Sequence, residues 1–412
     1  MVKLTRELPL FCTDARSLEK LETPVHLGSL DHITQNFTPI TVVFVYRQEE
    51  EDLQDELIPI ERFHRALETL LDYYPHLAGR IVMSEDNSPR IERLDAGAKL
   101  VVAECDEKLD AFNAIGEDGG SPRLIVTNLP DGGNALLPPF DPSEAGMTRD
   151  PILNVQHTRF ACGGVVIGCC LRHIVCDAAG FFQLVQDLAE LYRGSLNDRE
   201  PFKLSKPPHI HSYKAELHNM TPKERQEALS VEPVGFELSP QIATSVPAED
   251  KPTPPPVQGR VLRFSFRELA LLKAEANSTN QSKPFSTFCA LAAHIWQSVH
   301  RARVAMVDDA TALRPQLLLP VNLRTRNQLT GIQSRYFPNA VFSAVVSASA
   351  AQVLDAPLSA VAAMIHDNVQ PQEPTDMLEA LKWIAAQPDK RRVQACYDYS
   401  KKKRVCDSME QI

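Results

Sequence analysis

Apolar and polar positions alternate along this chain in two periods. Thr38 to Tyr46 (Thr-Pro-Ile-Thr-Val-Val-Phe-Val-Tyr) is β-branched and aromatic, predicts a strand, and breaks off into the acidic loop Glu49-Glu-Glu-Asp52. From Glu61 to Leu71, Phe63, Ala66, Leu67, Leu70 and Leu71 recur at helical spacing and predict an amphipathic helix. Ile152 to Phe160 and Val165 to Leu171 read as two strands. The Ala161-Cys-Gly-Gly164 between them reads as a hairpin turn needing positive φ. After Gly180, the residues Phe181, Phe182, Leu184, Val185, Leu188, Leu191 and Tyr192 mark a helix with a buried apolar face. Further on, Val261 to Phe266 predicts a strand. Ser286 or Thr287 is placed to cap a helix in which Phe288, Leu291, Ala292, Ile295 and Val299 share one face, with Phe288 and Trp296 assigned to the core. Gln316 to Val321 is fit for a buried strand and Ala340 to Val346 for another, while Thr375 to Ile384 is helix-like. Strands and helices alternate in both halves, so the expected class is α/β or α+β, with sheets covered by helices.

The chain's 31 prolines refine the division. Lys251-Pro-Thr-Pro-Pro-Pro-Val-Gln258 closes a polar stretch that holds Lys206-Pro-Pro-His209 and the charged Thr221 to Glu227. We expect an N-terminal domain over 1–200, a crossover linker over 201–258 and a C-terminal domain over 259–412. Composition narrows the function classes. Lys plus Arg is 43 against 53 Asp plus Glu, a formal charge of −10 that argues against a wholly basic, nucleic-acid-binding surface. Nine scattered cysteines read as reduced thiols rather than a disulfide framework. The first residues, Met-Val-Lys-Leu-Thr-Arg, lack a signal-peptide core, and Val165 to Leu171 falls far short of the roughly 20 apolar residues of a spanning helix. The expectation is a cytoplasmic protein with no membrane partner and no nucleic-acid partner.

The leading chemical candidate is His173-Ile-Val-Cys-Asp177, where a strand ends and a helix begins. Strand ends open onto clefts, and histidine is the side chain that titrates nearest neutrality and can take up a proton. Asp177 either orients the ring or points away and pins the turn. With 12 histidines in the chain, one chance His-x-x-x-Asp carries little weight alone. The company it keeps carries more. Asn154-Val-Gln-His-Thr-Arg-Phe-Ala-Cys-Gly-Gly-Val-Val-Ile-Gly168 precedes it. Leu27-Gly-Ser-Leu-Asp-His32, Tyr74-Pro-His-Leu-Ala-Gly-Arg80, Ser286-Thr-Phe-Cys-Ala-Leu-Ala-Ala-His-Ile-Trp296, Asn322-Leu-Arg-Thr-Arg326 and Tyr336-Phe-Pro-Asn-Ala-Val341 follow one order along the chain. In these landmarks the sequence resembles the BAHD acyltransferases, the acyl-CoA-dependent transferases of plant and fungal specialised metabolism.

That resemblance implies two similarly folded domains like chloramphenicol acetyltransferase, each a mixed sheet covered by helices, with a channel between them. Acyl-CoA, as co-substrate and with no permanently bound cofactor, would enter from one side, and a small alcohol or amine from the other. His173 would be the general base, and no covalent acyl-enzyme is implied. Asp177 would be structural, paired with Arg324 rather than with the histidine. The acyl group expected from family habit is hydroxycinnamoyl or another aromatic, and the state expected on the same ground is a monomer. Ala178 stands where the family has glycine after the motif's aspartate, leaving Gly180 as the next glycine, and Pro338 replaces another glycine. No Asp-Phe-Gly-Trp-Gly occurs, and the sequence runs instead into Lys390-Arg-Arg392 and Lys401-Lys-Lys-Arg404. The tail therefore reads as a truncated, alternatively spliced or mis-predicted terminus, solvated rather than nucleic-acid-binding, and a non-catalytic acyltransferase-fold binding or regulatory module is the rival reading. Arg172, standing where peptide-synthetase condensation domains carry a second histidine, argues against that class.

Four further groups complete the candidates. Ser286 and Thr287 read first as a helix cap, and second as hydroxyls near the thioester or the coenzyme A phosphates. Asn339 is a candidate polar pocket group and, with Thr287, an oxyanion donor. Cys169, Cys170, His173 and Cys176 are close in sequence, but Cys169 and Cys170 point to opposite faces of a strand, so no metal site is expected. His209 and His211 read as solvated loop histidines.

Overall fold

The computed structural model describes residues 1–34, 38–48, 56–85, 87–114, 123–195, 203–233, 235–239, 262–278, 284–307, 313–325, 331–369 and 374–395. The acidic loop at 49–52, the proline run 251–258 and Lys401 to Arg404 lie outside these residues. The architecture is mixed α/β. Its largest sheet orders the strands Val2–Leu10, Ala98–Cys105, Leu153–Phe160, Val165–Leu171 and Ile40–Tyr46. Only the pair Ala98–Cys105 and Leu153–Phe160 is parallel. Val165–Leu171 is buried at every position, as a central strand covered on both faces must be. Its hairpin to Leu153–Phe160 turns on Gly163, whose φ of +81° suits a residue without a Cβ.

The helices Ile60–Tyr73 and Ala178–Gly194 cover one face of this sheet and bury Phe63, Leu67, Leu70, Phe181, Leu184 and Leu191. A second core gathers the helices Thr287–Val304, Leu358–Asn368 and Pro374–Ala386 about the paired strands Gln316–Asn322 and Val341–Ser347. The halves interlock: Leu30 packs into the second core and Phe337 into the first. Among the described residues no helix is long and apolar enough to cross a membrane.

Four expectations are corrected here. Residues 262–265 form no strand. Ser265 instead caps the helix Phe266–Ala276 through a capping box with Glu268, a local signal that overrides the alternating apolar residues before it. The helix Thr287–Val304 buries Cys289, Ala290, Ala293, Trp296, Gln297 and His300, and turns Phe288, Ile295 and Val299 outward. Small residues let it pack closely on Leu358–Asn368, and Gln297 goes inside because its amide donates to the Val353 and Ala356 carbonyls at 2.9 and 3.0 Å. Phe288 is therefore not core. The strand Gln316–Asn322 is buried on one face only, with Leu318 46% exposed.

The fourth correction is the looseness expected of the crossover and the tail. Thr221 and Glu224 box-cap the helix Pro222–Leu229, and Phe236–Leu238 pairs with Val393–Ala395. His209 is held by backbone bonds with Arg335 and Phe337, both 2.8 Å, and its ring stacks on Tyr336; only His211 is exposed. Nor is Lys390-Arg-Arg392 solvated. Lys390 is 3% exposed, Arg391 pairs with Asp389 and Glu144, and Arg392 bonds the Ser239 carbonyl.

Candidate active site

The strand Val165–Leu171 delivers the chain to Arg172, whose buried guanidinium is spent on the Asp141 and Gly146 carbonyls and on Asp150. This side chain is a fastening for residues 141–150. Next comes a single 3-10 turn, His173–Val175, and then Asp177, which caps the helix Ala178–Gly194 by accepting from Gly180 N at 3.0 Å. Ala178 takes the first helical position, where no positive φ is asked of it. Gly180 is different. A Cβ there would lie 2.1 Å from the Phe337 carbonyl oxygen and 3.0 Å from Cys176 Cβ. Within a helix, Gly to Ala ordinarily gains about 1 kcal/mol. Here the obstacle is backbone that cannot rotate away, so Gly180→Ala should lose at least about 1 kcal/mol net. The check is its denaturant midpoint, and a rise would show that the turn can yield.

Asp177 and Arg324 form an ion pair, Oδ2 to Nη1 at 2.9 Å, with side chains 3% and 6% exposed. The same carboxylate oxygen accepts from Ala340 N at 2.7 Å. Arg324 also donates to the carbonyls of Tyr336 (2.7 Å), Phe337 (3.4 Å) and Pro338 (2.6 Å), and lies over the Tyr336 ring. One arginine thus ties three consecutive carbonyls of the Tyr336–Asn339 turn to the start of the helix after His173. Pro338 fits this arrangement, since it takes part through its carbonyl, which accepts from Arg324, and proline lacks only the N–H.

The tie to His173 itself comes from a residue the motif search passed over. Asp31, 1% exposed, accepts from Gly28 N (3.0 Å), Asn339 N (3.0 Å), Asn339 Nδ2 (2.9 Å) and the Ser212 side chain. Asn339 Nδ2 in turn donates to the His173 carbonyl at 3.1 Å, and Thr34 Oγ1 lies 3.1 Å from that same carbonyl. Both amide hydrogens of Asn339 are therefore engaged, and this arrangement leaves it no donor for an oxyanion. Asp31 stands inside the quoted Leu27–His32 landmark, where a lone acid amid small and apolar residues was the available signal.

Burial pushes the Asp31 carboxyl up to about 6 from 3.8, against the opposing pull of its donors. A raised folded pKa means that the native state binds more protons than the unfolded chain between about pH 4 and pH 6. The contribution of this group is therefore full below that window and falls as pH rises through it, by roughly 3 kcal/mol. Asp31→Asn, neutral throughout, should lose less stability than the parent between about pH 4 and pH 7. Parallel denaturant midpoints for the two proteins over that range would overturn the assignment.

The structure thus gathers His173, Asp177, Gly180, Arg324 and Asn339. Ser286 and Thr287 make none of these contacts: Ser286 caps its helix by accepting from Cys289 N at 3.2 Å, and both residues are exposed. A second fastening also lay unread in the sequence. Asp187, 1% exposed, accepts from Arg335 at 2.6 Å and from the hydroxyl of Tyr74 at 2.6 Å. The cysteines of this turn are held as protonated thiols, which are poor nucleophiles. Burial pushes the thiols of Cys169 and Cys170 up to about 12 and raises that of Cys176 well above its ordinary value, and Cys12 is raised to about 12 on burial beside Asp72. Among the described residues, the one set of three ligand atoms at metal-binding separation is Cys105, Asp106 and Glu107, whose two carboxylates engage the N-terminal amine.

The strand-end His173 thus has its main chain fixed from two sides, beside a carboxylate committed to an arginine. The model of the Transferase family matches residues 16–408. A rice protein, hydroxycinnamoyltransferase 2, is 28% identical over 375 residues, covering 88% of this chain and 76% of its own. Anthranilate N-benzoyltransferase protein 3 of Dianthus caryophyllus is 27% identical over 382 residues, with 89% and 78% covered. Among solved structures, vinorine synthase matches with a TM-score of 0.58 at 16% identity, covering 92% of this chain and 79% of that one. Fusarium graminearum TRI101, complexed with coenzyme A and T-2 mycotoxin, matches at 0.59 and 16%, covering 92% and 81%. These two show a shared fold.

Proposed function

The chain belongs to the Transferase family, that of the BAHD acyltransferases, and from that premise we propose that His173 is the general base of its acyl transfer. The donor in this reading is a coenzyme A thioester carrying an aromatic acyl group, and the acceptor is the hydroxyl or amine of a small metabolite. Support for the donor comes from the relatives named for hydroxycinnamoyl and benzoyl transfer and from the neighbour solved with coenzyme A. The observation that carries the reading is the fixing of the His173 carbonyl by Asn339 and Thr34 beside the Asp177–Arg324 pair.

The imidazole takes the acceptor's proton as its oxygen or nitrogen attacks the thioester carbonyl carbon. The tetrahedral intermediate then collapses, the carbon–sulfur bond breaks, and the imidazolium returns the proton so that coenzyme A leaves as the neutral thiol. Holding the base in place contributes by orientation, because the reacting atoms must meet within about 3–3.5 Å. Asp177 stays with Arg324 throughout and does not relay the proton.

The test is release of free thiol from hydroxycinnamoyl-CoA or benzoyl-CoA with a panel of small alcohols and aromatic amines. An acceptor-dependent rate above thioester hydrolysis is expected. Hydrolysis alone, with every donor and acceptor, would leave the non-catalytic binding reading in its place.

A further inference from the structure

Helices cover one face of the large sheet, and residues 129–140 lie on the other, where Leu129 and Leu136 pack with Phe160 and Val166. Gly168 lets this segment come close, because a Cβ there would run into the Leu136 carbonyl. Where the segment meets the edge strand Val2–Leu10, a cavity of about 420 Å³ opens. Leu4, Leu137, Pro138, Pro139 and Phe140 wall it, and Gln156 lines it from the sheet. Among the described residues, no charged side chain does so.

Gln156 is 0% exposed. Its Nε2 donates to the Ala135 carbonyl at 2.9 Å and to Thr158 Oγ1 at 3.0 Å. A carbonyl only accepts, so the Ala135 contact fixes which end of the amide is nitrogen. The Oε1 at the other end accepts from no group. Buried acceptors are nearly always satisfied, so this one needs a donor from elsewhere. The wall cannot give one at Pro138 or Pro139, which have no N–H.

Apolar walls of this size with one polar group to set orientation are what a small-molecule site requires. We propose that this cavity binds a neutral small molecule with an apolar body and one hydroxyl, which donates to Gln156 Oε1. A charged ligand would be desolvated against walls that offer it no counter-charge. A lone water would satisfy the oxygen and leave the apolar walls unfilled. Gln156 pairs with Gly168, five residues and roughly 16 Å of chain before His173, so the cavity stands apart from the candidate base. Binding is read directly, and its outcome is independent of whether His173 takes the proton.

The experiment titrates β-naphthol into the full chain by calorimetry at about pH 7, where a phenolic hydroxyl is neutral. Its methyl ether serves as the same body without the donor. Saturable binding is expected, about tenfold tighter for the naphthol than for the ether. Leu4→Trp, at a rim position 46% exposed, fills the mouth and should weaken the naphthol about tenfold with the denaturant midpoint unmoved. Lys3→Trp puts the same bulk on the opposite face of the strand and should change affinity by less than about twofold. Gln156→Leu keeps the size, removes the acceptor, and should erase the preference for the naphthol. If that variant does not fold, the ether and the two tryptophan variants still decide. No saturable binding leaves the cavity to water and overturns the proposal, as does equal affinity for the ether. Binding that Leu4→Trp leaves intact, or that Lys3→Trp weakens equally, lies elsewhere and overturns it too.

Discussion

Replacing His173 with alanine should lower the acceptor-dependent rate of coenzyme A release by at least about a hundredfold and leave the unfolding transition where it was. The two halves of that expectation rest on different atoms. The rate depends on the imidazole, which is the only group at the end of the Val165–Leu171 strand that the proposed mechanism asks to carry a proton. The fold depends on the His173 main chain, whose carbonyl accepts from Asn339 and Thr34, and alanine keeps that carbonyl. His173→Ala thus removes the imidazole while keeping the main-chain bonds that fix the turn. A rate within a few-fold of the parent would remove His173 from the mechanism. A large fall in the melting temperature would show that the ring, and not the main chain, holds the turn.

Arg324→Ala should do the reverse, with stability falling first and activity with it. The substitution strands the Asp177 carboxylate, 3% exposed, without its counter-charge, and strips donors from the carbonyls of residues 336–338. Breaking one side of a buried pair costs about 3–5 kcal/mol, more than the pair itself contributes, because the remaining charge stays desolvated. Lysine should not rescue it, since an ammonium cannot span the carboxylate and three carbonyls that the guanidinium reaches. The double variant Asp177→Asn with Arg324→Ala should be less destabilised than the sum of the single changes, because it removes the stranded charge. Denaturant midpoints of the four proteins decide the matter. A purely kinetic defect in Arg324→Ala, with the midpoint unmoved, would contradict the structural role assigned to the pair.

The sequence announced the central hairpin plainly, because a fully buried strand must be a continuous apolar run and Gly163 must sit where φ is positive. The Asp177–Arg324 pair was legible only through the order of the landmarks. Nothing in periodicity joins two residues 147 positions apart. Elsewhere the same rules failed for identifiable reasons. Counting large apolar residues placed Phe288, Ile295 and Val299 inside, whereas the helix buries the side lined by cysteine, alanines and a satisfied glutamine. Alternating residues before Phe266 looked like a strand until the Ser265–Glu268 box began a helix. Asp31 and Asp187 were missed because a buried acid has no sequence pattern of its own, and its donors come from distant turns. Polar composition likewise suggested solvent for Lys390 to Arg392, where the structure finds carbonyls and carboxylates to receive them.

The seven described cysteines are all unbridged, and four of them carry thiols that the fold holds well above the ordinary range. A disulfide reagent reacts only with thiolate, so near pH 8 it should pass over Cys12, Cys169, Cys170 and Cys176 while the chain is folded and consume them once it opens. The reagent that follows product release thereby becomes a gauge of integrity in the same cuvette. The excess of its initial burst over that of the folded parent counts unfolded molecules, and the slope that follows counts turnovers. A variant that shows a flat slope on a small burst has lost its chemistry, and one that shows a large burst has lost its shape.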